Sequence, residues 1–227
     1  MKRGWIVVAA GLAVAALRCS DPAKPEASVP EPPAMAAVSG PASVNAPPQI
    51  AQKAGEILTY FNFVQTTLGD LSGSDPAVNS NIYLWEIPTG SGTIVKKIKA
   101  VRRSDGSVDW TVVLNGQLAD STRYNDRQLF IGKAAEDNRS QSWTFYDLLT
   151  GAITHKISWN RDKNGALQLD DTFAALNAVW HLVNARDGSG SYSFTLGGVK
   201  QFTATWRGDG SGSFIDHTSS GAAESWE

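Results

Sequence analysis

Beyond residue 80, the chain consists of short segments in which apolar and polar residues alternate, separated by turns such as Asn-Gly and Asp-Gly. This pattern is the sequence feature that most limits the possible folds. Val108, Trp110 and Val112 fall on one side of such a segment, with Asp109 and Thr111 on the other, as in a half-buried β-strand. Similar alternation occurs in 82–87, 143–149, 153–159, 180–183, 192–196 and 202–206. The turn signals are Asp105-Gly106, Asn115-Gly116, Thr150-Gly151, Asn164-Gly165, Asp187-Gly188 and Asp209-Gly210. Turns of this kind join antiparallel neighbours.

These segments predict a mainly β fold. The signals correspond to about nine to twelve strands. We expect an antiparallel up-and-down meander, in the form of a curved sheet, a half-barrel or a barrel. Residues 49–227 are numerous enough for a single β-rich domain with its own core.

An amphipathic N-terminal helix is predicted to open this domain and to pack on the sheet. The apolar residues at helical spacing are Ile50, Ala54, Ile57, Leu58, Phe61 and Leu68. The polar residues assigned to the opposite face are Gln52, Lys53, Glu56 and Gln65. Gly69 is a suitable stop. Membrane or partner binding by the apolar face is the alternative.

A weak repeat relates two glycine-rich segments. The segments 186–191 and 207–213 match at a period of 22 residues, and an aromatic follows each, Tyr192 and Phe214. Serial hairpins produce such repetition, and two copies are too few for a solenoid. The segments lack the acidic spacing of a calcium loop, so we interpret them as turns and expect no metal site.

Tryptophan is the residue in excess, with eight in the chain. Those on predicted strands are candidates for a ligand cavity: Trp110, Trp143, Trp159, Trp180 and Trp206. Because each ring buries a large area, a filled core is the simpler interpretation. A cavity for an apolar ligand and an exposed platform for sugars are the alternatives.

Catalytic patterns are missing from the sequence. His155, His181 and His217 lie far apart and show no metal-ligand spacing. An acid–base pair is the catalytic interpretation of the adjacent Asp170 and Asp171. Because side chains of adjacent strand residues point to opposite faces, we expect these two residues to lie in a turn or at a helix start instead. We therefore expect a protein that is not an enzyme and that needs no cofactor.

The net charge of the chain argues against nucleic acid as the main partner. Without Lys2, Arg3 and Arg18, 17 basic residues face 22 acidic ones, a formal net charge of −5. One segment is locally basic, with Lys96, Lys97, Lys99, Arg102 and Arg103. We expect an edge strand whose charges prevent pairing with another chain. A contact surface for anionic lipid or polysaccharide is the alternative.

Residues 19–48 have the composition of a disordered linker. Eight of the ten prolines of the chain lie here, with no aromatic residue and no periodic apolar face. Such a segment buries too little apolar surface to offset the entropy of ordering. A passive spacer is expected, with a ligand for a polyproline-binding domain as the alternative.

Residues 1–18 have the composition of a signal peptide. Lys2 and Arg3 precede an uncharged apolar run, 4–17, that is too short to span a membrane as a stable helix. Cys19, the only cysteine, follows closely. This arrangement resembles the bacterial lipoprotein signal, although Arg18 stands where that family has a small residue. Plain secretion and an uncleaved anchor are the other readings.

The lipoprotein resemblance implies a cellular location and a lipid anchor for the protein. It implies that Cys19 carries the lipid, with palmitate among its acyl chains, and that Ser20 directs the protein to the outer membrane. A periplasmic or cell-surface location is the alternative. The helix against a curved sheet is also similar in architecture to the half-barrel lipoprotein carriers of the envelope.

The function expected from these features is a membrane-tethered envelope lipoprotein with a non-catalytic binding domain. Its partner is an apolar small molecule or another envelope component. A surface module for a protein or a glycan is the first alternative, and an enzyme of unidentified type is the second.

Overall fold

Thirteen antiparallel strands and one long helix make up the fold. The computed structural model describes residues 28–227 except 44, 72, 90–92, 119, 121 and 220. The helix is α1 (Pro48–Gly69). The strands are β1 (Ala77–Asn79), β2 (Ile82–Pro88), β3 (Val95–Arg102), β4 (Val108–Gln117), β5 (Arg123–Ala134), β6 (Ser140–Tyr146), β7 (Ile153–Arg161), β8 (Leu167–Phe173), β9 (Ala178–Asn184), β10 (Gly190–Leu196), β11 (Val199–Trp206), β12 (Gly212–Asp216) and β13 (Ala223–Trp226).

The strands pair in chain order from β1 to β13 in one sheet. This confirms the predicted mainly β meander with a helix packed on it, and the sheet stays open because its two edge strands do not pair with each other. The strand count exceeds the expected nine to twelve. The edge strands are only three and four residues long, too short to show alternation.

The helix α1 begins and ends where the sequence indicates. Pro48 occupies its first turn, where a missing N–H costs nothing, and the helix ends at Gly69. Its buried residues include Ile50, Ile57 and Phe61, which confirms the predicted apolar face. The helix crosses the sheet from β8 and β9 towards β3, and we call the sheet face that it covers the helix face and the opposite one the outer face.

The two ends of the sheet differ. At one end, which we call the turn end, tight turns connect β1 to β2, β3 to β4, β5 to β6, β7 to β8, β9 to β10 and β11 to β12. At the other, which we call the loop end, lie the connections from β2 to β3, β4 to β5, β6 to β7, β8 to β9, β10 to β11 and β12 to β13. The connection from β8 to β9 contains a single 3-10 turn, Ala174–Leu176.

Residues 28–43 and 45–47, which belong to the predicted linker, lie along the turn end against the helix face. The Gln141 side chain donates to the Ala34 carbonyl at 2.7 Å, and that of Asn184 donates to the Ser39 carbonyl at 2.8 Å. Pro30, Pro33 and Ala36 are buried. Their spacing of three is the repeat of a polyproline II helix, so one side of the segment is apolar although it shows no helical or strand period.

The core lies between the helix face and the layer formed by α1 and residues 28–43 and 45–47. Rows of side chains cross the sheet in register. One row contains Ala100, Trp110, Gly132, Trp143 and Ile157. A Cβ added at Gly132 would lie 2.1 Å from the Trp143 ring, so the glycine leaves room for the indole. Gly190 under Trp206 and Gly212 under Trp226 repeat this pairing.

Three local predictions were wrong. The basic strand β3 pairs with both β2 and β4, so it is interior and not an edge. Asp170 and Asp171 lie within β8 and not in a turn or a helix start. Lys53, assigned to the solvent face of α1, is only 4% exposed.

Candidate functional site

A buried ion pair joins α1 to the sheet. Lys53 Nζ lies 2.6 Å from Asp171 Oδ2, and the Asp171 side chain is fully buried. The ammonium also lies 3.6 Å from the centroid of the Trp180 ring, a cation–π distance. Lys53 is therefore buried because β8 presents a carboxylate and β9 an aromatic face directly beneath it.

His155 and two tyrosines extend this cluster. His155 Nδ1 lies 3.2 Å from Asp171 Oδ1, and the His155 ring packs between Phe173 and Tyr60 at centroid distances of 4.9 and 4.5 Å. Burial raises the pKa of Tyr60, with Asp171 and Glu56 adding to the shift. Burial likewise raises the pKa of Tyr192, with a smaller contribution from Glu56. Charged and aromatic groups here contact one another, which fixes the position of α1 on the sheet.

The three histidines do not converge. His155 lies on the helix face, whereas His181 Nδ1 lies 2.7 Å from Asp170 Oδ1 on the outer face. His217 Nε2 lies 3.1 Å from the Thr203 hydroxyl. Within the described part of the chain, no group of three or more His, Cys, Asp or Glu side chains is placed to hold a metal ion.

Four of the five candidate tryptophans belong to one core cluster in which they are almost fully buried. Trp110 and Trp143 are each 1% exposed, and Trp159 and Trp206 are each 4% exposed. Trp180 is half-buried, and its ring stacks on Phe194 at 4.9 Å. These four indoles belong to the same core cluster as α1 residues such as Ile57 and Phe61.

The outer face carries a polar groove that sequence analysis missed. A cavity of about 440 Å³ opens there over β5, β6, β7 and β8. Its side chains include a single row across neighbouring strands: Lys133, Ser142, Ser158 and Asp170, with His181 next in register on β9. Facing Cβ atoms in such a row are about 5 Å apart.

The groove brings together carboxylates, a lysine ammonium, hydroxyls and side-chain amides. Asn160, Gln168 and Asp105 also border it. Hydrogen bonds from the Ser107 hydroxyl and backbone N–H hold the pKa of Asp105 below its ordinary value, so this carboxylate stays ionised. A second cavity of about 300 Å³ adjoins the first and shares Lys133 and Ser142 with it. The pattern of polar strand positions was visible in the sequence, but the register that aligns them was not.

Cys19 and the predicted signal peptide, 1–18, lie outside the described residues. Among the helices that the structure describes, none has both the length and the apolar character needed to cross a bilayer. No protein family and no curated protein matches the sequence.

Proposed function

We propose that the chain is an exported, lipid-anchored and non-catalytic protein whose outer face binds a hydroxyl-rich chain of the glycan class. The anchor is proposed from Lys2, Arg3, the apolar run and Cys19. The binding role rests on one observation, which is the polar row in the 440 Å³ groove.

The chemistry of the row suits sugar hydroxyls. The Lys133 ammonium donates hydrogen bonds and the Asp170 carboxylate accepts them. The hydroxyls of Ser142 and Ser158 can do both. All four residues are exposed, so a ligand reaches them without displacing the core. A hydroxyl-rich chain laid across the strands meets a polar group at every strand, at a spacing of about 5 Å.

A glycan-binding measurement tests this proposal. Chitotetraose, cellotetraose and maltotetraose are titrated into the full chain, and chemical-shift changes of the groove amides are followed by NMR. We expect saturable shifts at Ser142 and Ser158 with at least one of these probes. Ser158→Ala is expected to weaken binding several-fold, because it removes one hydroxyl from the centre of the row.

Ser193→Ala is the matched control, since Ser193 lies in the same row beyond His181 and does not border the groove. It is expected to leave binding unchanged. Equal weakening by both variants, or no saturable shift with any of the three probes, would argue against the glycan proposal.

An apolar ligand among the tryptophans is the competing function. It needs room beneath α1, where Trp110 and Trp143 are 1% exposed. We expect oleate to leave tryptophan emission unchanged below its micelle concentration. A saturable shift of the emission maximum would favour the apolar-ligand function over the glycan function.

A further inference from the structure

Exposed aliphatic side chains are concentrated at the loop end of the sheet. Leu118, Leu149 and Leu176 lie in three successive connections there, and Leu196 and Val199 flank the next. Leu149 is 71% exposed and Val199 is 64% exposed. Successive connections at one end are two strands apart, so these side chains are spaced by about 9–10 Å. They form a row of separate apolar tips about 30 Å long.

The turn end has the opposite chemistry. Five of its six tight turns carry an aspartate, and the turn from β1 to β2 has Ser80 and Asn81 instead. The five aspartates are Asp105, Asp137, Asp162, Asp187 and Asp209. None of the exposed large aliphatic residues in the described part of the chain lies in these turns, although Val29, in the segment along this end, is 46% exposed. Since both ends consist of connections between the same strands, hairpin formation alone does not require leucines at one end only.

We propose that the loop end docks on a phospholipid surface, with Leu118, Leu149, Leu176, Leu196 and Val199 inserted among the headgroups. Separate tips on independent loops suit a deformable, laterally uniform surface. A protein partner would need a matching set of pockets. Isolated aliphatic side chains gain free energy in the interface in proportion to the apolar area that they bury there.

Charge around the tips favours a zwitterionic headgroup. Arg123, Arg127 and Lys200 lie beside the loops and form none of the ion pairs found among the described residues. Three aspartates at the loop end offset them in number, two in the loops of Leu118 and Leu149 and one at the end of β12. Asp120, Asp147 and Asp216 accept hydrogen bonds within their own turns, and these bonds hold the pKa of each below its ordinary value. The surface therefore offers both signs of charge, as phosphocholine does.

The reach of the tether permits this orientation. Arg102 donates to the Ser28 carbonyl at 3.0 Å, so the described chain starts at the turn end. The eight residues of β3 span about 26 Å. The nine residues from Cys19 to the start of the described chain reach about 30 Å when fully extended. If Cys19 is anchored, as proposed above, this length is enough for the loop end to face the same bilayer.

Hydrogen exchange of the full chain on phosphatidylcholine vesicles tests the proposal, because it reports each loop separately from anchoring. We expect about tenfold slower exchange in the connections around Leu118, Leu149 and Leu176 when vesicles are present. The turns around Asp187 and Asp209 are expected to exchange at the same rate with and without vesicles.

Two double variants complete the design. Leu149→Ser with Leu176→Ser is expected to abolish the protection, whereas Val78→Ser with Leu84→Ser, which changes exposed residues of β1 and β2, is expected to preserve it. Glycan binding by both variants separates failure of this proposal from failure of the proposed function. Unprotected loops on vesicles, equal protection in the leucine variant, or protection that grows with protein concentration without vesicles would each overturn the docking proposal.

Discussion

Asp170 and Asp171 are consecutive residues of β8, and each lies beside a histidine, yet their surroundings have little in common. Asp171 is fully buried on the helix face and pairs with Lys53. Asp170 is 56% exposed on the outer face and pairs with His181, which is 44% exposed. The same chemical group is thus a structural contact on one face and a solvated surface group on the other. The pleat of a strand, which reverses the side-chain direction at each residue, makes this difference.

The largest expected effect comes from breaking the buried pair. Asp171→Asn leaves the half-exposed Glu56 carboxylate, 3.3 Å away, as the remaining counter-charge of the buried Lys53 ammonium, so we expect a loss of about 3 kcal/mol in the free energy of unfolding. Asp170→Asn makes the same change at the next residue and is expected to cost less than about 1 kcal/mol, as exposed pairs do. Urea unfolding followed by tryptophan fluorescence measures both.

A compensating double variant sharpens that test. Lys53→Met with Asp171→Leu replaces the ion pair by apolar side chains, and we expect it to recover most of the stability lost in Asp171→Asn. If Asp170→Asn destabilised the protein as much as Asp171→Asn, burial would not be the cause of the difference between the two faces.

An added methyl group tests the packing of the helix face. Gly132→Ala places a Cβ 2.1 Å from the Trp143 ring, and we expect it to cost about 1–3 kcal/mol through overpacking. Gly55→Ala makes the same change in α1, where a Cβ has no heavy atom within 4 Å. It is expected to stabilise the protein by about 0.5–1 kcal/mol. Melting temperatures that move in the same direction for both variants would contradict this account.

Alkaline pH is expected to lower the free energy of unfolding through Tyr192, which lies on the helix face. The folded state raises the pKa of Tyr192, mainly through burial, so its contribution to stability is complete below the unfolded pKa of about 10. That contribution is lost as pH rises through the higher folded value. We expect the free energy of unfolding to fall above about pH 10. Tyr192→Phe should flatten this slope, and an unchanged slope would exclude Tyr192 as its source.

The smallest expected effect is a decrease in the free energy of unfolding at acid pH, caused by aspartates in the turns of the turn end. Hydrogen bonds from Ser189 and Ser211 lower the pKa values of Asp187 and Asp209. The stabilising contribution is complete above the unfolded pKa and is lost as pH falls through the lower folded values. Ser189→Ala with Ser211→Ala should make stability less dependent on pH below about 4. NMR titration of the two aspartates measures the shifts directly, and unchanged carboxyl pKa values in the variant would refute this cause.

Local signals were enough to predict the meander and the helix, but not the contacts between them. Asp187-Gly188 and Asp209-Gly210 indicate hairpins because their backbone requirements are local, and positive φ at both glycines agrees. The burial of Lys53 could not be predicted, because it depends on a carboxylate 118 positions away in the chain. The polar groove likewise depends on the register of four strands.

The pairing of every strand with its neighbour in the chain also has a consequence for the order of folding. Contacts within the sheet join segments that are close in sequence, which favours rapid hairpin-by-hairpin assembly. The helix α1 is made first during synthesis, but its contacts with β8 and β9 close a loop of more than a hundred residues, and loop closure of that length is entropically costly. We therefore expect the helix to dock late, onto a sheet that has already formed. Until then the tryptophan-rich face lacks its cover and is the part of the chain most open to aggregation or to a chaperone.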